Sequence, residues 1–170
     1  MLHQVSATHS IALDLPAEKA LAVLWDIKSL ELYEPKVDSA QVRPETERKG
    51  TYSATGHFAR WHWRGEFSYE LNDHGFHSKM IRGPRGFSVK GGFIVQSGNA
   101  NSCCITHYEH YEFPYWMSPF ALLARLYLYW AMKKELRDLA KIIYAKNIHP
   151  NEPVSVHNAQ IASNQTQVWI

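Results

Sequence analysis

The fold is decided by residues 118–146, whose sequence is SPFALLARLYLYWAMKKELRDLAKIIYAK. Ser118 is a favourable N-cap and Pro119 a favourable first helical residue, so this stretch predicts one long helix. At 1.5 Å per residue, the helix would be about 40 Å long, enough to cross a whole sheet. Its C-terminal half is amphipathic, whereas residues 120–132 are apolar almost all round, with Arg125 as the single charge.

The residues before this helix have the alternating pattern of strands. Residues 5–15 predict a first strand, and Pro16 then opens a short helix, which is followed by a second one over residues 27–33. Pro35 ends the second helix. Six further strands are predicted between turn signals, over residues 36–44, 50–59, 61–72, 75–82, 86–97 and 102–113.

These strands are expected to form one sheet with an apolar face. The aromatic residues that share one face of the strand 61–72 are Trp61, Trp63, Phe67 and Tyr69. Short loops between consecutive strands favour antiparallel neighbours. The sequence therefore predicts an α+β domain over residues 1–147, with a seven-stranded, curved antiparallel sheet wrapped around the long C-terminal helix. A polar tail is predicted over residues 148–170.

Composition narrows the classes of function. The chain has 170 residues and a formal net charge of +2 without a long basic run, so nucleic acid is not expected as a partner. Cys103 and Cys104 would point to opposite faces of a strand, which argues against a disulfide and favours a reducing compartment. No signal peptide is apparent, and residues 120–132 are shorter than the roughly 20 residues of a membrane span. A cytoplasmic protein is therefore predicted.

Three segments resemble those of one superfamily. Residues 11–20 (IALDLPAEKA) are similar to the strand-to-helix junction of START-like, or SRPBCC, proteins. Residues 25–37 and 108–113 (YEHYEF) are similar to the second helix and the closing strand of its polyketide cyclase/dehydrase and lipid-transport group. The resemblance covers about residues 5–146 and implies a helix-grip fold with a cavity for a hydrophobic ligand. The motifs are structural and carry no catalytic signature, so the resemblance does not fix an activity.

Two polar residues of the last strand are the candidate catalytic pair. If Tyr111 and Phe113 face inward, His107 and Glu109 do so too, because all four share one parity. His9 lies among the inward-facing residues of the first strand, which neighbours the last strand in helix-grip folds. The three polar side chains are therefore expected to approach one another inside the cavity. There His107 and Glu109 would act as an acid–base pair or contact a polar part of the ligand.

Aromatic residues supply most of the other candidate ligand contacts. Besides His9, Tyr111 and Arg125, the predicted ligand-binding residues are Trp61, Trp63, Phe67, Tyr69, Phe87 and Phe93. About half of this array is expected to be ordinary core, and the rest to line a pocket. Arg125 is either a surface residue or a group that pairs with an anionic head of the ligand.

Neither a metal site nor a cofactor is predicted. The chain contains ten histidines. His107 and His110 are three residues apart on a strand, so their side chains point to opposite faces and cannot chelate one ion. His57 and His62 have the same parity problem unless the turn between them reorients them.

The last helix raises two expectations about the surface. Its second half carries charges of alternating sign, which are typical of a solvent-exposed face: Lys133, Lys134, Glu135, Arg137 and Asp138. Its first half would leave residues such as Leu122 and Tyr129 uncovered. The cover is expected to be the tail with Trp169 and Ile170, a homodimer partner, or a lipid surface contacted by residues 120–132.

Three functions remain open from the sequence. The leading hypothesis is the binding of a hydrophobic or aromatic small molecule, such as a lipid, a quinone or a polyketide-like compound. The second is an enzyme of the cyclase/dehydratase type that uses His107 and Glu109. The third is an interaction module that dimerises through residues 120–132 and has a collapsed cavity.

Overall fold

A computed structural model describes residues 2–58, 61–99 and 101–148 of the chain. The strands are β1 (Leu2–Leu13), β2 (Val37–Pro44), β3 (Lys49–Phe58), β4 (Trp61–Asn72), β5 (Gly75–Arg82), β6 (Ser88–Ser97) and β7 (Cys103–Pro114). The helices are α1 (Ala17–Leu24), α2 (Leu30–Tyr33) and α3 (Ala121–Ile148), with 3₁₀ turns at Ile27–Ser29 and Tyr115–Phe120. Except for residue 148, the predicted tail lies outside the described residues.

The strands form one seven-stranded sheet in the order β1-β7-β6-β5-β4-β3-β2. All neighbours are antiparallel, and β1 pairs with β7 so that Ala7 lies opposite Glu109 and His9 opposite His107. Irregular pairing between Val37 and Ser39, and between Glu66 and Phe67, adds local bending. The predicted fold class is confirmed: a curved antiparallel sheet with two short helices after β1 and one long C-terminal helix.

The start of the long helix differs from the prediction. The regular α-helix begins at Ala121, and the predicted start at Ser118 and Pro119 falls within the preceding 3₁₀ turn, Tyr115–Phe120. Short 3₁₀ turns are common at helix N-termini. Because β7 continues to Pro114, this turn is also the whole connection between the sheet and α3.

The two halves of α3 pack differently. In the C-terminal half, Leu136, Leu139 and Ile143 are buried in the main core, together with α1, α2 and the sheet. In the N-terminal half, Leu128 joins a small separate cluster with Val5 and Phe113. None of the described helices is both long and apolar enough to cross a membrane.

The prediction that the charged residues in the second half of α3 face solvent is wrong for Glu135. This residue is 0% exposed, whereas Lys133 and Arg137 are exposed as expected. The reason is helical periodicity: Glu135 is spaced four residues from both Ala131 and Leu139, which are buried on the same stripe. The helix therefore brings a carboxyl group into the protein interior.

Candidate functional site

A cavity of about 230 Å³ lies between the sheet and the N-terminal half of α3. Its walls come from α2, the segment that joins it to β2, the strands β2 to β7, the 3₁₀ turn before α3 and α3 itself, and they are mainly aromatic and aliphatic. Leu128 and Ala124 contribute from the helix, and Met117 and Phe120 from the turn before it. At this half of the helix, Leu128 packs on β1 and β7 through Val5 and Phe113, and the cavity lies beside this small cluster.

Most of the predicted ligand-binding aromatics lie in these walls. The residues of that set that line the cavity are Trp61, Trp63, Phe67, Phe87, Phe93 and Tyr111. Trp61 is also two-thirds exposed, at 66%, so it lies where the cavity meets solvent. Phe67 and Phe93 are buried. These positions leave their proposed role as ligand contacts open to experiment.

The other three predicted ligand-binding residues lie elsewhere. Tyr69 is buried in the core beside Tyr52, and Arg125 is exposed on α3. His9 is opposite His107 in the sheet, but its ring packs edge-on against Tyr129, with 5.5 Å between ring centroids. Of the three polar side chains of β1 and β7, His107 and Glu109 therefore come together, whereas His9 lies apart from them under α3, which packs over β1.

One end of the cavity is a buried polar cluster centred on Lys36. The Lys36 ammonium Nζ lies 2.7 Å from both carboxylate oxygens of Glu109 and 3.4 Å from Glu34 Oε1. The Tyr111 hydroxyl donates to Glu109 Oε1 at 3.1 Å. Lys36, Glu34 and Glu109 are 5%, 8% and 8% exposed, so this is an ion-pair network removed from water.

Local structure fixes Lys36 at this position. Helix α2 ends at Tyr33, and Pro35 cannot continue it. The chain then passes so close to β3 that a Cβ at Gly56 would lie 1.8 Å from the Lys36 carbonyl oxygen. The backbone N–H of His57 donates to that same oxygen at 3.2 Å. Glycine at position 56 therefore permits the approach that directs Lys36 into the cavity.

The network sets the protonation states of its members. Burial alone would raise the pKa of Glu109, but the Lys36 charge and the hydrogen bonds from Lys36 and Tyr111 lower it. Burial would lower the pKa of Lys36, but the charges of Glu109 and Glu34 raise it well above its usual value. Burial and the Glu109 charge raise the pKa of Tyr111. Lys36 and Glu109 are therefore a charged pair, and the tyrosine stays protonated.

Behind this pair, the Glu135 carboxyl lies close enough to Glu34 for its charge to raise the Glu34 pKa, although neither carboxyl oxygen of Glu135 has a hydrogen-bond partner among the described residues. Two ionised carboxylates buried near each other would repel, so a proton on one of them stabilises the pair. Burial and the Glu135 charge raise the pKa of Glu34 well above its usual value, and burial raises that of Glu135 to about 8. At neutral pH the pair therefore holds at least one proton in the interior.

His107 joins the carboxyl pair to the cavity wall. Its ring stacks on Phe93, with 4.2 Å between ring centroids, and its Nδ1 lies 3.3 Å from Glu135 Oε2 without hydrogen-bonding alignment. Burial, together with the Lys36 charge, lowers the pKa of His107 to about 4. The imidazole is therefore neutral at physiological pH and able to accept a proton or a hydrogen bond at one nitrogen.

We expect the unfolding free energy to fall by about 2 kcal/mol between pH 6.5 and pH 8. Folding raises the Glu135 pKa from 4.5 to about 8, so in this range the folded chain keeps a proton that the unfolded chain has lost. His107 has the opposite effect on the pH dependence of the unfolding free energy, because folding lowers its pKa from 6.5 to about 4. This effect is confined to pH values below 6.5. The two effects offset each other between pH 4.5 and 6.5. Urea unfolding at pH 5, 6.5 and 8 measures the predicted curve.

A pair of glutamate substitutions tests the assignment of this effect. Glu135→Gln, which mimics the protonated carboxyl and removes the charge that helps to raise the Glu34 pKa, should reduce the decrease above pH 6.5. Glu47→Gln, the same change at an exposed position, should retain it. A wild-type stability that is constant or rising from pH 6.5 to 8 would contradict the raised pKa of the buried carboxyl pair.

The polar cluster is better described as an ion-pair network than as a metal centre. Ligand atoms of Glu34, His107 and Glu109 all lie within 4.8 Å of one another, which is a spacing that a metal ion can bridge. The Lys36 ammonium, however, already contacts both oxygens of Glu109. A metal ion bound there would have to displace this buried cation.

Sequence reasoning missed three members of the cluster: Glu34, Lys36 and Glu135. In the sequence, the segment Glu34-Pro35-Lys36 contributed only to the family resemblance. Two charged residues beside a proline at a helix end are not expected to line the wall of an apolar cavity. Glu135 had a stronger signal, because it falls within the helical stripe of Ala131 and Leu139. A charged residue on an apolar stripe is a better indicator of a buried site than the alternation of charge along the chain.

No protein-family model matches this chain, and no curated protein sequence matches it. Solved structures do match. The Zhui aromatase/cyclase from a Streptomyces species is similar with a TM-score of 0.72 and 11% sequence identity, over 89% of this chain and 100% of that one. A START superfamily protein from Mycobacterium smegmatis is similar with a TM-score of 0.70 and 8% identity, over 82% of this chain and 97% of that one.

A plant enzyme is also similar. Norcoclaurine synthase from Thalictrum flavum matches with a TM-score of 0.59 and 15% identity, over 84% of this chain and 94% of that one. At these identities the similarity shows the fold alone. The chain has the START-like fold, as the resemblance of its sequence segments implied.

Proposed function

We propose that this chain binds a compact, largely apolar small molecule that carries a hydroxyl or carbonyl oxygen, such as a quinone or a polyketide-like aromatic compound. The apolar part of the ligand would lie among Trp63, Phe67 and Phe87. Its oxygen would point to the cluster of Lys36, Glu109 and Tyr111. A lipid is the other ligand class that the sequence predicts.

The size and walls of the cavity support a compact ligand. A volume of about 230 Å³ is slightly below the ~300–1,000 Å³ typical of sites for drug-sized molecules. A two-chain lipid would need far more room than this. Aromatic walls with a few convergent polar groups are typical of small-molecule sites.

The observation that carries the proposal is the buried charge at the end of an apolar cavity. Removing Lys36 and Glu109 from water costs free energy, and apolar residues of similar volume would be as stable or more stable. Both side chains line the cavity, where their hydrogen-bonding capacity can reach a ligand. The cluster offers acceptors at Glu109 and His107, and an uncharged ligand oxygen would accept a hydrogen bond from Lys36 or Tyr111 in place of one that they now make within the cluster.

The names of the similar structures support an aromatic ligand. Three of them describe aromatase/cyclases or ARO/CYC proteins, one of which is the two-domain protein StfQ from the steffimycin biosynthetic pathway. One structure of norcoclaurine synthase is a complex with dopamine and hydroxybenzaldehyde, which are small aromatic compounds with oxygen substituents. At 13% sequence identity this precedent supports the ligand class and assigns no residue role.

Denaturing extraction followed by mass spectrometry tests the proposal. The purified full chain should release one apolar, oxygen-bearing compound in near-stoichiometric amount, and the emptied protein should take it up again. A protein that extracts empty, and that binds no member of a panel of quinones and phenolic polyketides, would overturn the proposal.

A second candidate function is proton-transfer catalysis of the cyclase/dehydratase type. The specific observation that favours it is the proton held by Glu34 and Glu135 beside the neutral imidazole of His107. In this arrangement Glu109 is a poor proton donor, because Lys36 keeps it ionised, so the acid would be the carboxyl pair and the base His107. The extracted compound distinguishes the two functions: an enzyme would convert it to an isomer or to a product lighter by one water, and a carrier would return it unchanged.

A further inference from the structure

The 3₁₀ turn and the first half of α3 carry a large exposed apolar surface. Its main side chains are Trp116, Phe120, Leu122, Leu123, Leu126 and Trp130, each between 56% and 69% exposed. We call this set the apolar patch. Monomeric soluble proteins rarely expose so many large apolar side chains together, and such patches usually mark an interaction site.

The patch follows the helix surface. Leu122 and Leu126 are four residues apart and share one stripe of α3, and Leu123 and Trp130 are seven apart on the adjacent stripe. These stripes lie away from the cavity, which the helix lines through Ala124 and Leu128. These four side chains are therefore additional to the cavity wall and are not needed to enclose it.

Exposed charges at the edge of the patch are positive. Arg125 and Lys133 are exposed on α3, and Arg85 is exposed in the loop whose Gly86 lies against Pro114. No aspartate or glutamate occurs between residues 113 and 134. An apolar surface bordered by cations complements a layer of anionic headgroups over a hydrocarbon interior.

We infer that the apolar patch docks on an anionic lipid membrane surface, with α3 lying in the interfacial plane. Leu122 and Leu126 enter the acyl boundary, Trp116 and Trp130 lie at the headgroup level, and Arg125 and Lys133 contact lipid phosphates. The lipid is the partner at this surface and a separate molecule from the proposed ligand of the cavity.

Charge and shape favour a membrane over a second copy of the chain. A twofold dimer through this patch would place Arg125 and Lys133 of each copy against the patch of the other copy, which holds no acidic residue to pair with them. The apolar stripes also extend around a convex helix and a turn, which suits a deformable lipid surface better than a flat protein interface. Phe120 connects the two sites, since it belongs to the patch and also lines the cavity.

Flotation with lipid vesicles tests the inference on the full chain without added ligand. The chain should float with vesicles of phosphatidylcholine that contain about a third phosphatidylglycerol, and its tryptophan emission should shift to the blue. Leu122→Ser/Leu126→Ser should weaken binding by about tenfold or more. The matched control Leu32→Ser/Ile81→Ser, which changes exposed apolar residues of α2 and β5, should bind like the wild type.

A second variant tests the electrostatic contribution to vesicle binding. Arg125→Gln/Lys133→Gln should lose about fivefold in affinity for each charge removed on anionic vesicles and little on pure phosphatidylcholine. Two results would overturn the inference: a wild-type chain that does not float with anionic vesicles, or a stable dimer in sedimentation velocity that Leu122→Ser/Leu126→Ser dissociates. Because no ligand is used, failure here leaves the proposed cavity function untouched.

Discussion

Replacing Lys36 by methionine is expected to lower the unfolding free energy by about 3–5 kcal/mol at pH 7. Methionine fills a similar volume, so the change removes the charge and leaves the packing nearly intact. Glu109 then loses a cation that lies 2.7 Å from both of its oxygens, in a site where it is 8% exposed. A buried carboxylate without a partner is among the costliest defects in a folded protein.

Lys36 has a second acidic neighbour, Glu34, so removing Lys36 and removing Glu109 should lower the unfolding free energy by different amounts. Glu109→Gln should destabilise the chain less than Lys36→Met does, because Lys36 keeps Glu34 at 3.4 Å. The double variant Lys36→Met/Glu109→Gln should recover part of the loss, since neither charge is then left alone. The Lys36→Met variant should also be less destabilised at pH 4.5 than at pH 7, because a protonated Glu109 no longer needs the cation.

An exposed ion pair supplies the control for this experiment. Lys49 lies 3.0 Å from Glu70, but both side chains are more than half exposed. Lys49→Met should therefore cost at most about 1 kcal/mol. Urea unfolding of the four variants at pH 7 measures these differences in unfolding free energy. If Lys36→Met lowered the unfolding free energy no more than Lys49→Met does, the buried network would contribute no net stability.

The alternation of apolar and polar residues was sufficient to predict the strands that are buried on one face. Strand β4 runs from Trp61 to Asn72, as predicted, because one face of it is buried and the other is in water. The parity of β7 likewise placed His107 and Glu109 on the same face as Phe113, and all three line the cavity. In both strands the alternation of buried and exposed side chains is the physical cause of the alternation of apolar and polar residues. The buried face can therefore be deduced from the sequence.

The polar cluster could not be predicted in the same way because it is assembled from distant segments. Lys36 and Glu109 are separated by 73 residues, and neither segment shows that the other is near. The pairing of β1 with β7 was expected, yet it did not bring His9 to the cavity. The position of α3 over β1 depends on how the helix packs on a curved sheet, and no local signal in the sequence encodes that.

The cavity offers a direct test of the proposed function through a substitution that fills it. Ala124 lines the cavity from α3, so Ala124→Trp would place an indole ring in a space of about 230 Å³. The indole adds about nine heavy atoms, and at ~0.3 kcal/mol for each displaced ligand atom the loss is roughly 3 kcal/mol, or about 100-fold in affinity. The amount of compound released on extraction should fall accordingly.

The control for this substitution lies two residues further along the same helix. Leu126 is 60% exposed and does not line the cavity, so Leu126→Trp introduces the same side chain without occupying the site. It should release as much ligand as the wild type. Thermal unfolding should show that both variants remain folded, because the Ala124→Trp ring enters existing space and its N–H can reach water at the cavity mouth. If Ala124→Trp retained the full ligand content, the molecule would have to bind outside this cavity, and the polar cluster around Lys36 would have no ligand to recognise.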